Sequence, residues 1–190
     1  LNANSNSSDF TTYNTAVGYE ALKGSSTAEN NTGVYNTAFG ANTLKDLTSG
    51  VYNTSIGSYS SNNNTTGSSN TSVGSYSSNR NTTGIDNTTI GKNSMYNNIN
   101  GSNNVALGSG ALYSNKSLKG SVAIGYYAMG FSDNTTNSGD SFNTAIGYQS
   151  LRGSSNPANN TGRGNTAVGY ASLMNNENGT GNTALGQNTL

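Results

Sequence analysis

One nonapeptide recurs ten times in this chain at quantised intervals, and that repetition restricts the fold more than any other property. Its marker glycine stands at Gly18, Gly40, Gly57, Gly74, Gly91, Gly108, Gly125, Gly147, Gly169 and Gly186. Successive markers are 22, 17, 17, 17, 17, 17, 22, 22 and 17 residues apart. A fixed period with occasional insertions describes one supersecondary unit stacked on copies of itself.

The unit is a set of columns. Four residues before the glycine stands Asn, at Asn14, Asn36, Asn53, Asn70, Asn87, Asn104, Asn143, Asn165 and Asn182, with Ser121 as the exception. The next residue is Thr except at Val105 and Val122, and the one after it is always Ala, Ser or Thr. An apolar residue precedes each glycine: Val17, Phe39, Ile56, Val73, Ile90, Leu107, Ile124, Ile146, Val168 and Leu185. Four residues after the glycine comes Leu or Met in every copy except Ser61 and Ser78.

The Asn-Thr-small-apolar segment is too short for a helix and alternates as a strand does. The glycine turns the chain, a second extended run follows, and a Thr-Gly turn such as Thr66-Gly67 closes the far end. Each coil is thus expected to hold two short strands and two turns. Coils pair in parallel at about 4.8 Å, giving a rod on the order of 50 Å. The five-residue insertions, which enter before the Asn, should bulge from one edge. The large apolar column is assigned to the packed interior, so Ile90→Asp is expected to unzip the stack while Thr88→Val is tolerated. The fold class expected is all-β: a parallel β-roll or β-solenoid of about ten coils, one repeat domain over residues 1–190. The chain starts without Met and shows no polar cap at either end, so it is expected to be a segment of a longer fibrous protein.

Composition alone argues against folding, with 31% hydrophobic and 8% charged residues. Eight acids balance eight bases, however, and the few apolar residues are periodic, so neighbours can bury them. A roll this thin buries little, and association of several copies under cyclic symmetry would supply more.

The units Asn104-Val105-Ala106-Leu107-Gly108 and Ser121-Val122-Ala123-Ile124-Gly125 resemble the repeats of the YadA-like head domain of trimeric autotransporter adhesins. Similar units occur in fibre-like proteins of bacteriophages and large viruses. The resemblance spans all ten units, about residues 10 to 190. It implies a left-handed parallel β-roll, intertwined or bundled as a homotrimer, extracellular on a virion or cell surface, and serving as an adhesin head or fibre shaft. The coils here, of 17 and 22 residues, are longer than is usual in that family, which lengthens the turns.

Each column has a structural and a functional reading. The Asn column suits stacked side chains that bond to one another and to turns, and a Ser121 hydroxyl can also bond to a turn. The Thr column would suit an ice-binding face, but Val105 and Val122 interrupt it. Tyr19, Tyr126, Tyr148 and Tyr170, just after the glycine, are candidate surface residues for a host-surface glycan or receptor. Their other reading is packing at a chain–chain seam or over the roll edge. Tyr59, Tyr76 and Tyr127 sit one place further on, and Tyr13, Tyr35, Tyr52 and Phe142 are expected to clamp a turn. Asn-X-Ser/Thr sequons, for example at Asn53, Asn70, Asn87, Asn134 and Asn159, arise by chance in such a composition.

Much chemistry lacks its residues. The chain has no Cys and no His, which removes disulfides, thiolate metal sites, histidine bases and Ser-His-Asp triads. The carboxylates do not recur in register, so no catalytic residue, cofactor or repeated metal site is expected. Asp133 and Asp140 share one loop, for which a solvated surface is the preferred reading. Eight scattered Lys and Arg form no basic stripe for nucleic acid, and no stretch is apolar enough for membrane insertion. The function expected is therefore non-enzymatic: a rigid segment of an extracellular fibre or adhesin. The alternative is a lattice-binding solenoid that recognises polysaccharide or, less favoured, ice.

Overall fold

The computed structural model describes residues 12–132, 135 and 139–190. It is a stack of ten coils, each contributing one three-residue strand: β1 Thr15–Val17, β2 Thr37–Phe39, β3 Thr54–Ile56, β4 Thr71–Val73, β5 Thr88–Ile90, β6 Val105–Leu107, β7 Val122–Ile124, β8 Thr144–Ile146, β9 Thr166–Val168 and β10 Thr183–Leu185. They form one parallel sheet in chain order. Equivalent columns face each other across every pair, including Val122 opposite Thr144 where a 22-residue coil intervenes. The insertions therefore leave the register intact.

The expected second strand is not formed. After each marker glycine the chain runs through a turn in which alternate residues are left-handed. Two places on, from Glu20 to Asn188, φ lies between 49° and 69°, and four places on, from Leu22 to Leu173, between 46° and 51°. A third such column lies five residues before the glycine and includes Tyr13, Tyr35, Tyr52 and Phe142. A strand needs extended backbone at every residue, so this alternation replaces the second strand with a rounded wall. Its polar backbone is satisfied all the same, coil to coil. The Leu44 N–H donates to the Ser60 carbonyl at 3.1 Å, and that of Met95 to Ala111 at 2.8 Å.

The marker glycines stack on one another. At Gly74 (φ +127°) an added Cβ would sit 2.7 Å from the Gly91 carbonyl oxygen, and at Gly108 (φ +126°) 2.5 Å from that of Gly125. Both the backbone angle and the contact demand glycine.

The large apolar column does not line the interior, contrary to the sequence expectation. Ile90 is 44% exposed, and Val17, Phe39, Ile56, Ile146 and Leu185 are exposed as well. The small middle residue of each strand points inward instead: Ala38, Ser55, Ser72, Thr89, Ala106, Ala123, Ala145, Ala167 and Ala184 are buried. The reason is one of width. Alternation puts Thr and the large apolar residue on one face and the small residue on the other. The interior is filled from the opposite wall by Leu44, Met95, Leu112, Met129 and Leu173, which leaves room for only a small side chain across from them. Ile90→Asp accordingly does not bury a charge within the single roll.

Asparagines supply the internal hydrogen bonding. In the expected column, the Asn53, Asn70 and Asn87 N–H groups each donate to the Oδ1 of the preceding Asn at 2.9–3.0 Å. Their Nδ2 groups donate to the carbonyls of Gly67, Gly84 and Gly101 at 2.8–2.9 Å. A second buried column lies seven residues after the glycine, at Asn64, Asn81, Asn98 and Asn115. Here Asn98 donates to Asn81 Oδ1 at 2.7 Å and Asn115 to Asn98 Oδ1 at 3.1 Å. Ser121 keeps only part of the first ladder: its N–H donates to Asn104 Oδ1, but its buried Oγ has no partner among the described residues. The expected turn bond is not made, because the hydroxyl stops an atom short of the Asn amide.

Two of the 22-residue coils carry one device. Gly24-Ser25-Ser26 through Asn31-Thr32-Gly33 matches Gly153-Ser154-Ser155 through Asn160-Thr161-Gly162. Each contains one 3₁₀ turn, Ala28–Asn30 or Pro157–Asn159. Asn31 and Asn160 close the loops by accepting from the Ser25 and Ser154 N–H groups at 2.8 and 2.9 Å.

Candidate functional site

The most extensive feature is the outer face of the sheet. Two columns point outward on it, Thr or Val in one and Val, Phe, Ile or Leu in the other. Thr15, Thr37 and Thr183 are exposed, while the Thr and Val residues between them are half-buried. Neither column contains a charge. Nine inter-strand steps of about 4.8 Å make a stripe on the order of 40 Å long. An apolar row of that length differs from the scattered single exposures usual on a protein surface, which makes this face the leading candidate site. The sequence contained the signal, since alternation puts both columns on one face, but it does not say which face is inside.

The tyrosines form ladders. Tyr126, Tyr148 and Tyr170 stack at centroid distances of 5.1 and 5.4 Å. Tyr127 meets Tyr126 edge-on at 4.8 Å, and through Tyr113, Tyr96 and Tyr76 the contact runs on to Tyr59. Tyr13, Tyr35 and Tyr52 form a separate stack at 4.9 and 5.1 Å. Tyr19, in the same column as Tyr126, is 73% exposed and has no ring neighbour among the described residues. Stacking occupies the flat faces of the inner rings and leaves mainly their edges and hydroxyls to solvent. A sugar ring packs against a flat aromatic face; within the Tyr13–Tyr35–Tyr52 and Tyr126–Tyr148–Tyr170 stacks the end rings keep one such face free, and the unstacked Tyr19 keeps both. The Tyr127 phenol is pushed up, first by burial and then by its neighbours Tyr126 and Tyr113.

Charge is concentrated at one corner. Glu20 accepts from Lys23 at 2.7 Å and Lys45 at 2.8 Å. The hydrogen bond from Lys23, then that from Lys45, holds the Glu20 carboxyl below its ordinary range. The bond to Glu20 raises the Lys45 ammonium. Beside them the first inserted loop walls an open cavity of about 380 Å³, lined by Lys23, Ser25, Asn31, Lys45 and Asp46 among others. The equivalent positions around the second loop are Arg152, Ser154, Asn160, Met174 and Asn175, so the shared loop has a different floor.

The remaining candidates separate cleanly. Asn53, Asn70 and Asn87 are buried with their amides engaged in the ladder, which removes those sequons from the surface, whereas Asn159 is exposed. Asp133 and Asn134 lie outside the described residues. Asp140 is exposed in an isolated bridge with Lys119, and its carbonyl accepts from Arg163. Among the described residues no three His, Cys, Asp or Glu side chains come together as a metal site. Among the same residues no helix is long and apolar enough to cross a membrane. No family model, curated protein or solved structure matches the chain.

Proposed function

We propose that this chain is a rigid segment of an extracellular fibre or adhesin, on a virion or a cell surface, in which three copies pack through their outer sheet faces. The observation that carries the reading is the outward turn of the apolar column, from Val17 to Leu185. A charge-free apolar stripe running the length of a narrow rod is covered by a rod of equal length and equal repeat, and a second copy meets both conditions. Three copies around one axis cover all three stripes at once, the arrangement that the resemblance to YadA-like heads implies. The role is mechanical: length and rigidity in the shaft, with a host-surface glycan or receptor contacted at a tip or by the inserted loops. The reading involves no catalysis.

Light scattering on the purified chain tests it. The expected mass is that of three chains. Ile56→Asp with Ile90→Asp should reduce it to one chain while the circular dichroism of the roll is retained. A single-chain mass for the unaltered protein would overturn the reading.

A second reading has its own observation. The Thr column lies outward on the same regular face, as a lattice-binding solenoid requires, and it would apply to a chain that stays single. Polysaccharide is its first ligand class. Ice is less favoured, because Val105 and Val122 break the hydroxyl row. A pull-down on insoluble polysaccharide and an ice-recrystallisation assay separate the two.

A further inference from the structure

We propose that the tyrosine ladders are sites of oxidative modification, at which a peroxide and a haem peroxidase join rings of neighbouring coils as dityrosine. Three observations carry this independently of the fibre reading. The chain has no Cys, Trp or His, and of its three methionines Met95 and Met129 are buried while Met174 is half-buried. A thioether gives up a single electron less readily than a phenol, so phenol is the exposed group that a one-electron oxidant takes first. Every tyrosine except Tyr19 has another tyrosine ring within 6.3 Å. In the stacks Tyr13–Tyr35–Tyr52 and Tyr126–Tyr148–Tyr170 the rings lie within 18° of parallel and are exposed. Rings on adjacent coils are therefore held together before any radical forms, which replaces a bimolecular encounter with an intramolecular one.

The step balances with one peroxide. Each of two phenols gives up one electron and its hydroxyl proton to the peroxidase, forming two phenoxyl radicals. The radicals couple through the ring carbons ortho to oxygen. Each coupled carbon then loses its hydrogen, which returns to the oxygen and restores the phenol. The pair has lost two hydrogen atoms, and one hydrogen peroxide has become two waters. In the continuous run from Tyr59 to Tyr170, a radical formed at one ring can pass to the next by electron and proton exchange before it couples. The product is a covalent rivet between coils in a chain that has no disulfide.

The test treats the whole folded chain with peroxidase and hydrogen peroxide. The band of single-chain mass is then isolated under denaturing conditions and its cross-linked peptides sequenced by mass spectrometry. Links are expected between Tyr13 and Tyr35, Tyr35 and Tyr52, Tyr126 and Tyr148, and Tyr148 and Tyr170, with none to Tyr19. Their yield should not change on tenfold dilution and should fall when the chain is unfolded in urea before oxidation. Tyr148→Phe keeps an aromatic ring in the stack without its hydroxyl, and should abolish both links at that position while leaving Tyr13–Tyr35. The proposal is overturned if dityrosine appears only in bands of two or more chains. Links to Tyr19 as frequent as those within the ladders, or peroxide consumption without dityrosine, would overturn it as well.

Discussion

The third to fifth coils and the sixth to ninth share one backbone and have opposite interiors. In the sixth to ninth, Ala106, Ala123, Ala145 and Ala167 face Leu112, Met129, Leu151 and Leu173 in one apolar cluster. In the third to fifth, the inward strand residues are Ser55, Ser72 and Thr89; the facing wall brings Ser60, Ser61, Ser77 and Ser78, and the apolar cluster begins at Met95 on the wall of the fifth coil. These hydroxyls form a connected belt. Ser55 bonds to Ser60 at 2.7 Å, Ser61 to Ser72 at 2.8 Å, and Thr89 to Ser72, Ser77 and Ser78 at 2.9–3.0 Å. A buried polar group is costly unless bonded, and every member of this belt is bonded. The left-handed wall residue keeps its geometry through the exchange, with φ 46° at Ser61 and Ser78 against 51° at Leu112. The roll is thus specified by its glycine column, its asparagine ladders and its left-handed turns, with the core free to be greasy or hydroxylated provided it fits and is satisfied.

The strongest way to break this view is to attack the backbone in both regions. Gly74→Ala in the hydroxyl belt and Gly108→Ala in the apolar region should each cost more than about 3 kcal/mol, because both force a Cβ into a carbonyl at a glycine-only φ. Urea melts of the two variants should show similar losses. A large loss at Gly108 with none at Gly74 would mean that the belt region is held some other way.

Core substitutions should then separate the two regions. Leu112→Ala is expected to cost about 3 kcal/mol through lost burial and a cavity. Ser61→Ala removes one hydroxyl bond, from which Ser72 retains its contact with Thr89, and should cost about 1 kcal/mol. The same pair of melts measures both. Equal losses would show that the belt carries more stability than its pairwise bonds supply.

The sequence makes the stack, the parallel register and the glycine corner legible, because all three follow from a period and an invariant residue. It does not show which strand face is inside. Ile90 and Thr88 share a face, and hydrophobicity pulls that face inward in any single-chain reading, whereas the interior admits only Thr89. The left-handed wall is equally hidden, since Leu, Met and Tyr are poor signals of positive φ and hold it here only because every coil above and below does so. The second asparagine column carries a periodic signal at Asn64, Asn81, Asn98 and Asn115. The Asn-rich turns around it mask that signal. Among the candidate tyrosines, the period places Tyr126, Tyr148 and Tyr170 on adjacent coils, but their ring-to-ring stacking depends on side-chain rotation that no spacing encodes.

A gain of stability tests the ladder directly. Ser121 sits where the Asn column fails, at the junction between a 17-residue and a 22-residue coil, with its hydroxyl unpartnered among the described residues. Ser121→Asn extends the side chain to where Oδ1 accepts from the next coil, as Asn143 accepts from the Asn165 N–H at 2.8 Å. Thermal melting should show a gain of about 1 kcal/mol. A loss would mean that the junction has no room for an amide and that Ser121 is there for its size.

The smallest effect concerns charge, and it touches neither core. Both interiors are built of groups that do not titrate, so pH cannot tell the belt from the apolar region. The only ion pairs among the described residues join Glu20 to Lys23 and Lys45. The folded Glu20 carboxyl lies below its ordinary 4.5, through the bonds from Lys23 and then Lys45. Its contribution is therefore present above the unfolded value and is lost as pH falls through the lowered folded value. Lys45, raised above 10.5 by Glu20, loses its share only as pH rises through that higher value. Glu20→Gln should therefore melt slightly below the unaltered chain at neutral pH and match it in acid, with the difference shrinking in added salt. Hydrogen exchange in the third to fifth coils should not change across that acid range. An acid slope that persists in Glu20→Gln would place the titrating group elsewhere, and one accompanied by faster exchange in the belt would show that the hydroxyl core, despite its neutrality, feels the charge at the first coils.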